Sequence, residues 1–413
     1  MKIHKAWVMM GACCVLMMSL ALNTTCLSLF TGPVTEALGF PRSAFTAYIS
    51  IAGIMTAIGV TVWGRVLPKL GMKRMIVISG VMIGICFVLA GRADSLWQFY
   101  AVGVVFGIFS PAVTVLPQAV TINNWFAEKK GLAMGVTMAF SGVGAAVFSP
   151  LLAIVINSHG WEWGYVTIGI ATALLSVPVA LFVLKSSPAE LGMMPYGAQA
   201  AEGSAGDTEA DRSGVLFSVA VRSFPFYGAL ISVALASIAV VSLSQHIPAH
   251  LVSRGLPTVQ GGVAMSILAV GMIFAKVGLG WLNDRIGTMA GMLICYALGF
   301  AGLLLMMLVK GDAMPVPALV VLACGIPVTT VWPPLLTAKL FGQKNFPKIF
   351  TFIQSVAILG YGLGTPLYGM SFDRTGSYNA MLAVGLVMMP VAAVLLVLSI
   401  KRSAGLTRAP DAG

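Results

Sequence analysis

Charge is what this chain has least of. Of its 413 residues only 9% are Asp, Glu, Lys or Arg, and the acidic share is thinner still, at 13 residues. Soluble globular domains carry about 25% charged residues, so the composition excludes one. The six cysteines, Cys13, Cys14, Cys26, Cys86, Cys295 and Cys324, all fall in apolar stretches without metal-ligand spacing. That pattern argues against both a disulfide framework and a metal site, and leaves them as small packing residues. No Ser/His/Asp set and no phosphate-binding loop can be recognised, so the reading is of a protein that is not an enzyme and needs no cofactor.

What fills the chain instead is apolar. Hydrophobic residues make up 58% of it, with a mean hydropathy of +0.95. A helix needs about 20 apolar residues to cross the bilayer core. Twelve such windows are predicted, over 7–32, 43–66, 75–91, 97–121, 131–156, 163–184, 224–252, 260–282, 288–309, 315–338, 349–371 and 378–400. The runs are continuous rather than alternating, which selects helices over a barrel. The expected class is an all-α membrane protein of twelve transmembrane helices. Met1-Lys2-Ile3-His4-Lys5 before an apolar run resembles a signal peptide, but the run is long enough to be the first span.

A net charge of +11 raises nucleic acid as a partner, yet the positions of the basic residues explain it better. With the N-terminus inside, Arg42, Arg92, Arg254, Lys310 and Arg374 fall on the outer face and Lys276 in the membrane, leaving eighteen of the 24 Lys and Arg in the cytoplasm. This is the positive-inside distribution. It puts both termini in the cytoplasm of a cell membrane, most simply a bacterial inner membrane, with the lipid bilayer and not nucleic acid as partner.

Lys276 is the exception among the charges. It sits inside Met272-Ile273-Phe274-Ala275-Lys276-Val277-Gly278-Leu279, within span 8. An ammonium there costs about 3 kcal/mol on insertion scales, and ionisable groups in spans mark substrate or ion paths. No Asp or Glu falls in any predicted span, so the expected partner is an anionic solute; snorkelling toward Asp284 is the competing account.

Residues 185–223 form the one long polar stretch, with Glu190, Glu202, Asp207, Glu209 and Asp211, and read as a cytoplasmic linker. It separates an N-terminal six-helix bundle, 1–184, from a C-terminal one, 224–413. An internal echo supports the division. Gly64 and Gly71 return as Gly280 and Gly287, and Pro150 returns as Pro366, each 216 residues on. Duplicated, pseudo-symmetric bundles place substrate near the midplane at the repeat interface.

These motifs resemble the major facilitator superfamily. G-W-L-N-D-R-I-G at 280–287 is similar to its loop motif, and the resemblance implies that Asp284 and Arg285 help hold the cytoplasmic side closed. The first copy, at 64–74, carries Pro68 where the family usually has Asp. N-N-W-F-A-E-K-K-G-L-A-M-G-V at 123–136, Gly160-Trp161 and S-P-A-E-L-G-M-M-P-Y-G at 187–197 resemble the oxalate/formate antiporter and monocarboxylate transporter branch. By that resemblance Lys276 stands where the branch has an arginine that binds the substrate carboxylate. His246 stands where bacterial members have a histidine facing the outer vestibule. Met272 occupies a position that is Asp in animal carriers.

Among polar residues in spans, Trp332 is expected to wall the cavity, with Asn23, Ser141, Gln354 and Tyr361 as further contacts. Interhelical hydrogen bonding is the alternative for each. Lys276 and His246 are the proton-coupling candidates. By the same resemblance the eleventh helix lacks the second basic residue of oxalate/formate exchangers, with neutral Ile358 and Leu359 in that neighbourhood, and one cation favours one carboxylate. The expectation is alternating-access transport of a lactate- or pyruvate-like monocarboxylate by a monomer, by proton symport or anion exchange. Dicarboxylate exchange and a non-transporting anion sensor are the rivals.

Overall fold

The computed structural model describes residues 4–198, 214–256, 258–309 and 314–406, and it is all-α; among the described residues two isolated bridges are the sole β contacts. Lys2, Arg212, Lys310 and Arg408, and the acidic Glu202, Asp207, Glu209 and Asp211, lie outside those residues. Among the described residues eleven helices are long and apolar enough to cross a membrane, or twelve when Val316–Thr329 and Trp332–Phe341, bent by 43°, count as one span. Phe182, Trp97 and Phe274 are at least 68% exposed, as a bilayer solvent allows and water does not.

Span 1 is α1 (Lys5–Leu22), a 3-10 turn (Thr25–Phe30) and α2 (Thr31–Leu38). Then follow α3 (Arg42–Leu70), α4 (Met72–Ala90), α5 (Leu96–Val113), α6 (Val115–Trp125), α7 (Lys130–His159) and α8 (Trp161–Pro178). A short α9 (Phe217–Ala220) precedes α10 (Phe224–Ala236), α11 (Ser242–Ser253), α12 (Thr258–Ile286) and α13 (Thr288–Leu308). The last four are α14 (Val316–Gly325), α15 (Trp332–Phe341), α16 (Phe346–Thr375) and α17 (Asn379–Ser403). Several helices outrun the predicted spans, so Asp284, Asp373 and Glu36 lie in final turns rather than in loops.

The duplication extends to helix bounds. α3 and α12 are both 29 residues, and their ends differ by 216 (258 minus 42, 286 minus 70). α7 and α16 are both 30 residues at the same offset (346 minus 130, 375 minus 159). The fourth and tenth spans share a further motif, P-x-x-T-V-x-P, at Pro111–Pro117 and Pro327–Pro333. Each proline removes a backbone donor and crowds the preceding turn. The helix breaks at the shared threonine, with φ −110 and ψ −89 at Thr114 and φ −119 and ψ −55 at Thr330. Pro117 and Pro333 then sit in the first turn of α6 and α15, where amides have no intrahelical acceptor in any case.

Contacts divide the chain into two compact units, Met1–Glu128 with Val136–Ala198, and Lys129–Gly135 with Gln199–Gly413. In the first, α3 and α5 pack backbone to backbone. A Cβ on Gly103 would press on the Tyr48 carbonyl, and one on Gly59 on the Ile108 carbonyl. In the second, Gly299 and Gly325 do the same for α13 and α14. Glycine is what permits such approach in spans. Gly53 and Gly362, by contrast, face open space.

The unit bounds depart from the predicted domains in two places. Residues 129–135, expected in the N-terminal bundle, group with the second unit, for reasons given below. The start of the predicted linker is folded: Trp125 Nε1 donates to the Lys185 carbonyl (2.9 Å), Asn124 Nδ2 donates to the Ser186 carbonyl (3.0 Å), and Ser187 with Glu190 caps a 3-10 turn. Tyr196 bonds the backbone of residues 125–128 and packs against His4, Trp7 and Phe126. In the second unit Val215 N donates to the Phe341 carbonyl, 2.8 Å. Aromatic and capping residues therefore order both ends of a stretch whose overall polarity suggested a free tether.

Candidate functional site around Lys276

Lys276 lies near the middle of α12 and is buried, with 7% of its surface exposed. What surrounds its backbone explains why residues 129–135 belong to this unit. Gly131 and Gly135, one turn apart at the start of α7, meet Lys276 and Gly280, one turn apart on α12. A Cβ on Gly135 would collide with the Lys276 carbonyl, and Gly131 and Gly280 exclude a Cβ on each other. The two helices thus cross at backbone contact, a small-xxx-small geometry in which one position is the lysine itself.

Asp284, two turns beyond Lys276, closes the same crossing. Its Oδ1 accepts from Gly131 N (2.6 Å) and its Oδ2 from Leu132 N (2.8 Å). The first amides of a helix lack intrahelical acceptors and carry the positive end of its dipole, so a carboxylate there is both cap and counter-charge. Lys129, just before, is at φ 57, the one described non-glycine residue in the left-handed region. Arg285 turns away, its guanidinium 4.3 Å over the Trp281 ring. The sequence motif joined Asp284 and Arg285; in space they act apart.

Asp284→Asn keeps the size and one acceptor but removes the charge. The cap is partly exposed, so the loss is about 1 kcal/mol. We expect the apparent melting temperature to fall by a few degrees in a detergent thermal-shift assay. An unchanged value would mean that the paired amide bonds contribute nothing.

The other candidates are placed as follows. His246 Nε2 donates to the Thr365 carbonyl (2.9 Å), with Tyr368 and Tyr378 against its ring at 5.8 and 5.4 Å. Tyr361 lies on α16 and its carbonyl accepts from both Ser242 (3.2 Å) and Thr365 (3.0 Å). Gln354, one helical stretch earlier, is buried with Oε1 unbonded. Ser141 bonds back to the Met138 carbonyl of its own helix, 2.8 Å. Asn23 stands at the break in span 1, and its Oδ1 accepts from Thr172 of α8 at 3.0 Å, a bond inside the first unit.

Trp332 is fully buried, its indole lying against Gly291 of α13. The ring is taken up by packing span 10 on span 9, which the absence of a side chain at Gly291 permits. Sequence reasoning missed Gly135 and the P-x-x-T-V-x-P breaks. Both had a signal: Gly131-xxx-Gly135 is a small-residue pair, and the proline motif recurs at the offset that relates the two halves.

Comparison with known proteins bears on the family and the fold. The Major Facilitator Superfamily profile matches residues 12–347. The chain is 25% identical to "Uncharacterized MFS-type transporter YhjX" of Escherichia coli (strain K12), over 82% of this chain and 80% of that one. It is 24% identical to Monocarboxylate transporter 12 of Rattus norvegicus (91% and 81% covered) and 24% to Monocarboxylate transporter 13 of Bos taurus (83% and 76%). Among solved structures, the proton:xylose symporter XylE aligns with a TM-score of 0.73 at 13% identity, covering 96% of both chains. FucP in its outward conformation aligns at 0.70 and 13%, covering 96% of this chain and 99% of that one. At such identity these two speak for the fold alone.

Proposed function

The chain belongs to the Major Facilitator Superfamily, and on that premise we propose that it carries a small organic monocarboxylate of the lactate or pyruvate kind, bound through its carboxylate by Lys276. It is a multi-pass membrane transporter, not an enzyme. The observation that carries the reading is the buried ammonium in the middle of α12, gripped at its backbone by Gly135. An ionisable group inside a span marks a substrate or ion path, and a carboxylate is the solute group complementary to an ammonium. The names of the relatives, monocarboxylate transporters 12 and 13, support the same class.

One cation argues for one carboxylate. In α16 the residues Ile358 and Leu359 provide no second base, which disfavours a dicarboxylate exchanger. Lysine in place of arginine gives a compact point charge rather than a flat fork, so the carboxylate is held less rigidly and the group loses its proton more readily. That property makes Lys276 the proton-coupling candidate we retain. His246, committed to the Thr365 carbonyl and stacked on tyrosine, is better suited to tying the ends of α11 and α16 together. Gln354 and Tyr361 remain proposed contacts for the rest of the solute; Ser141 bonds back within its own helix, and Asn23 accepts from Thr172 at its Oδ1 while its Nδ2 is unbonded. In this account Asp284, released from or engaged with the start of α7, sets whether the cytoplasmic side is shut during alternating access.

The test is uptake into proteoliposomes. Labelled lactate or pyruvate should accumulate, excess oxalate should compete poorly, and an imposed inward proton gradient should raise the initial rate if the coupling is symport. Uptake of oxalate with none of lactate would replace the monocarboxylate reading by the dicarboxylate one.

A further inference from the structure

We infer that the membrane-facing flank of α12 binds a bilayer phospholipid with an anionic headgroup, its acyl tail in a groove beside Gly278 and its phosphate on Arg285. The groove has a volume of about 760 Å³, and its walls are almost entirely apolar, among them Val270, Phe274, Gly278, Trp281 and Val320. Phe274 is 73% exposed and Trp281 45%. On α12 the lining positions 271, 274, 275, 278 and 282 recur at helical spacing and form one stripe. Lys276, Gly280 and Asp284, four apart, form another, turned toward the start of α7. The groove is therefore separate from the proposed solute site and lies on the opposite side of the same helix.

Two features select the occupant. The walls offer no charged group to specify a polar solute, but a hydrocarbon tail fits them, and Gly278 leaves a notch in which a Cβ would meet nothing within 4 Å. One turn past Trp281 stands Arg285, its guanidinium held over the indole, while the neighbouring Asp284 carboxylate is occupied by the Gly131 and Leu132 amides. Trp281, the groove-lining aromatic nearest the end of α12, thus carries over its ring a cation that the adjacent acid does not bridge. Tryptophan and arginine at the end of a span mark headgroup depth, and a cation there favours an anionic lipid by a factor of about five.

The experiment uses the full chain, solubilised from membranes doped equally with phosphatidylglycerol and phosphatidylcholine, with retained lipid counted by native mass spectrometry. Wild type should keep phosphatidylglycerol in excess. Arg285→Gln should cut that excess about fivefold and leave phosphatidylcholine unchanged. Gly278→Phe, whose ring enters open space and so spares the fold, should displace both lipids. Circular dichroism of each variant checks that the helices are intact. Equal retention of the two lipids by wild type, or retention by Gly278→Phe equal to wild type, would overturn the assignment.

Discussion

Lys276→Met is expected to lower initial monocarboxylate uptake by at least about 30-fold while leaving the protein in the membrane. Truncating one member of a buried charge pair costs about 2–5 kcal/mol, and each 1.4 kcal/mol is a factor of ten. Methionine keeps the volume and the unbranched chain and removes only the cation, so packing at the crossing with α7 is preserved. Replacing an ammonium by a thioether also lowers the cost of placing the span in hydrocarbon. Loss of transport therefore goes with an equal or higher melting temperature, a combination that simple misfolding does not produce. Lys276→Arg restores a cation with different geometry and should recover part of the rate, with altered preference among carboxylates.

The second large effect is expected at Gly135. A single methyl group there would meet the Lys276 carbonyl, which α12 holds in place and which cannot rotate away. Overpacking of a tight contact costs about 1–3 kcal/mol, and here backbone rather than a side chain resists it. Gly135→Ala should lower the apparent melting temperature by several degrees and depress uptake, because the start of α7 must move off α12 and take its amides away from Asp284. Gly278→Ala is the internal control. It lies on the same helix as Lys276, but a Cβ there meets nothing, so the substitution should be close to neutral and slightly favourable to helix propensity. Equal behaviour of the two alanine variants would mean that the crossing is not a backbone contact.

Much of this architecture is legible in the sequence because the bilayer imposes it. Length and hydropathy are enough to find twelve spans, and a cation inside an apolar run draws attention to itself. The motif around Asp284 also stands out, and in the structure its carboxylate caps two amides. Other features escape for identifiable reasons. A hydropathy window averages over about 19 residues, so it passes smoothly across a break of one or two residues at Thr114 or Thr330; only a search for the repeated proline pattern would expose it. The facing of Trp332 depends on a glycine 41 residues earlier, at Gly291, and no local pattern joins the two. The polarity of 185–223 suggested a tether, yet Tyr196 and the Ser187–Glu190 pair carry enough specific bonding to order its first part. Segment 129–135 changes unit because two missing side chains and one carboxylate act together, a property of the pair of helices and not of either sequence alone.

The claim on which the account depends is that a solute carboxylate is held by the Lys276 ammonium. Ligand that binds only the folded state raises its stability, by about 2.7 kcal/mol at a hundred times the dissociation constant. The direct measurement is the thermal shift of purified wild type and Lys276→Met with lactate, pyruvate and oxalate at saturating concentration. A rise with the monocarboxylates in wild type, absent from the methionine variant, is the predicted result. An equal rise in both proteins, or a rise with oxalate alone, would contradict it.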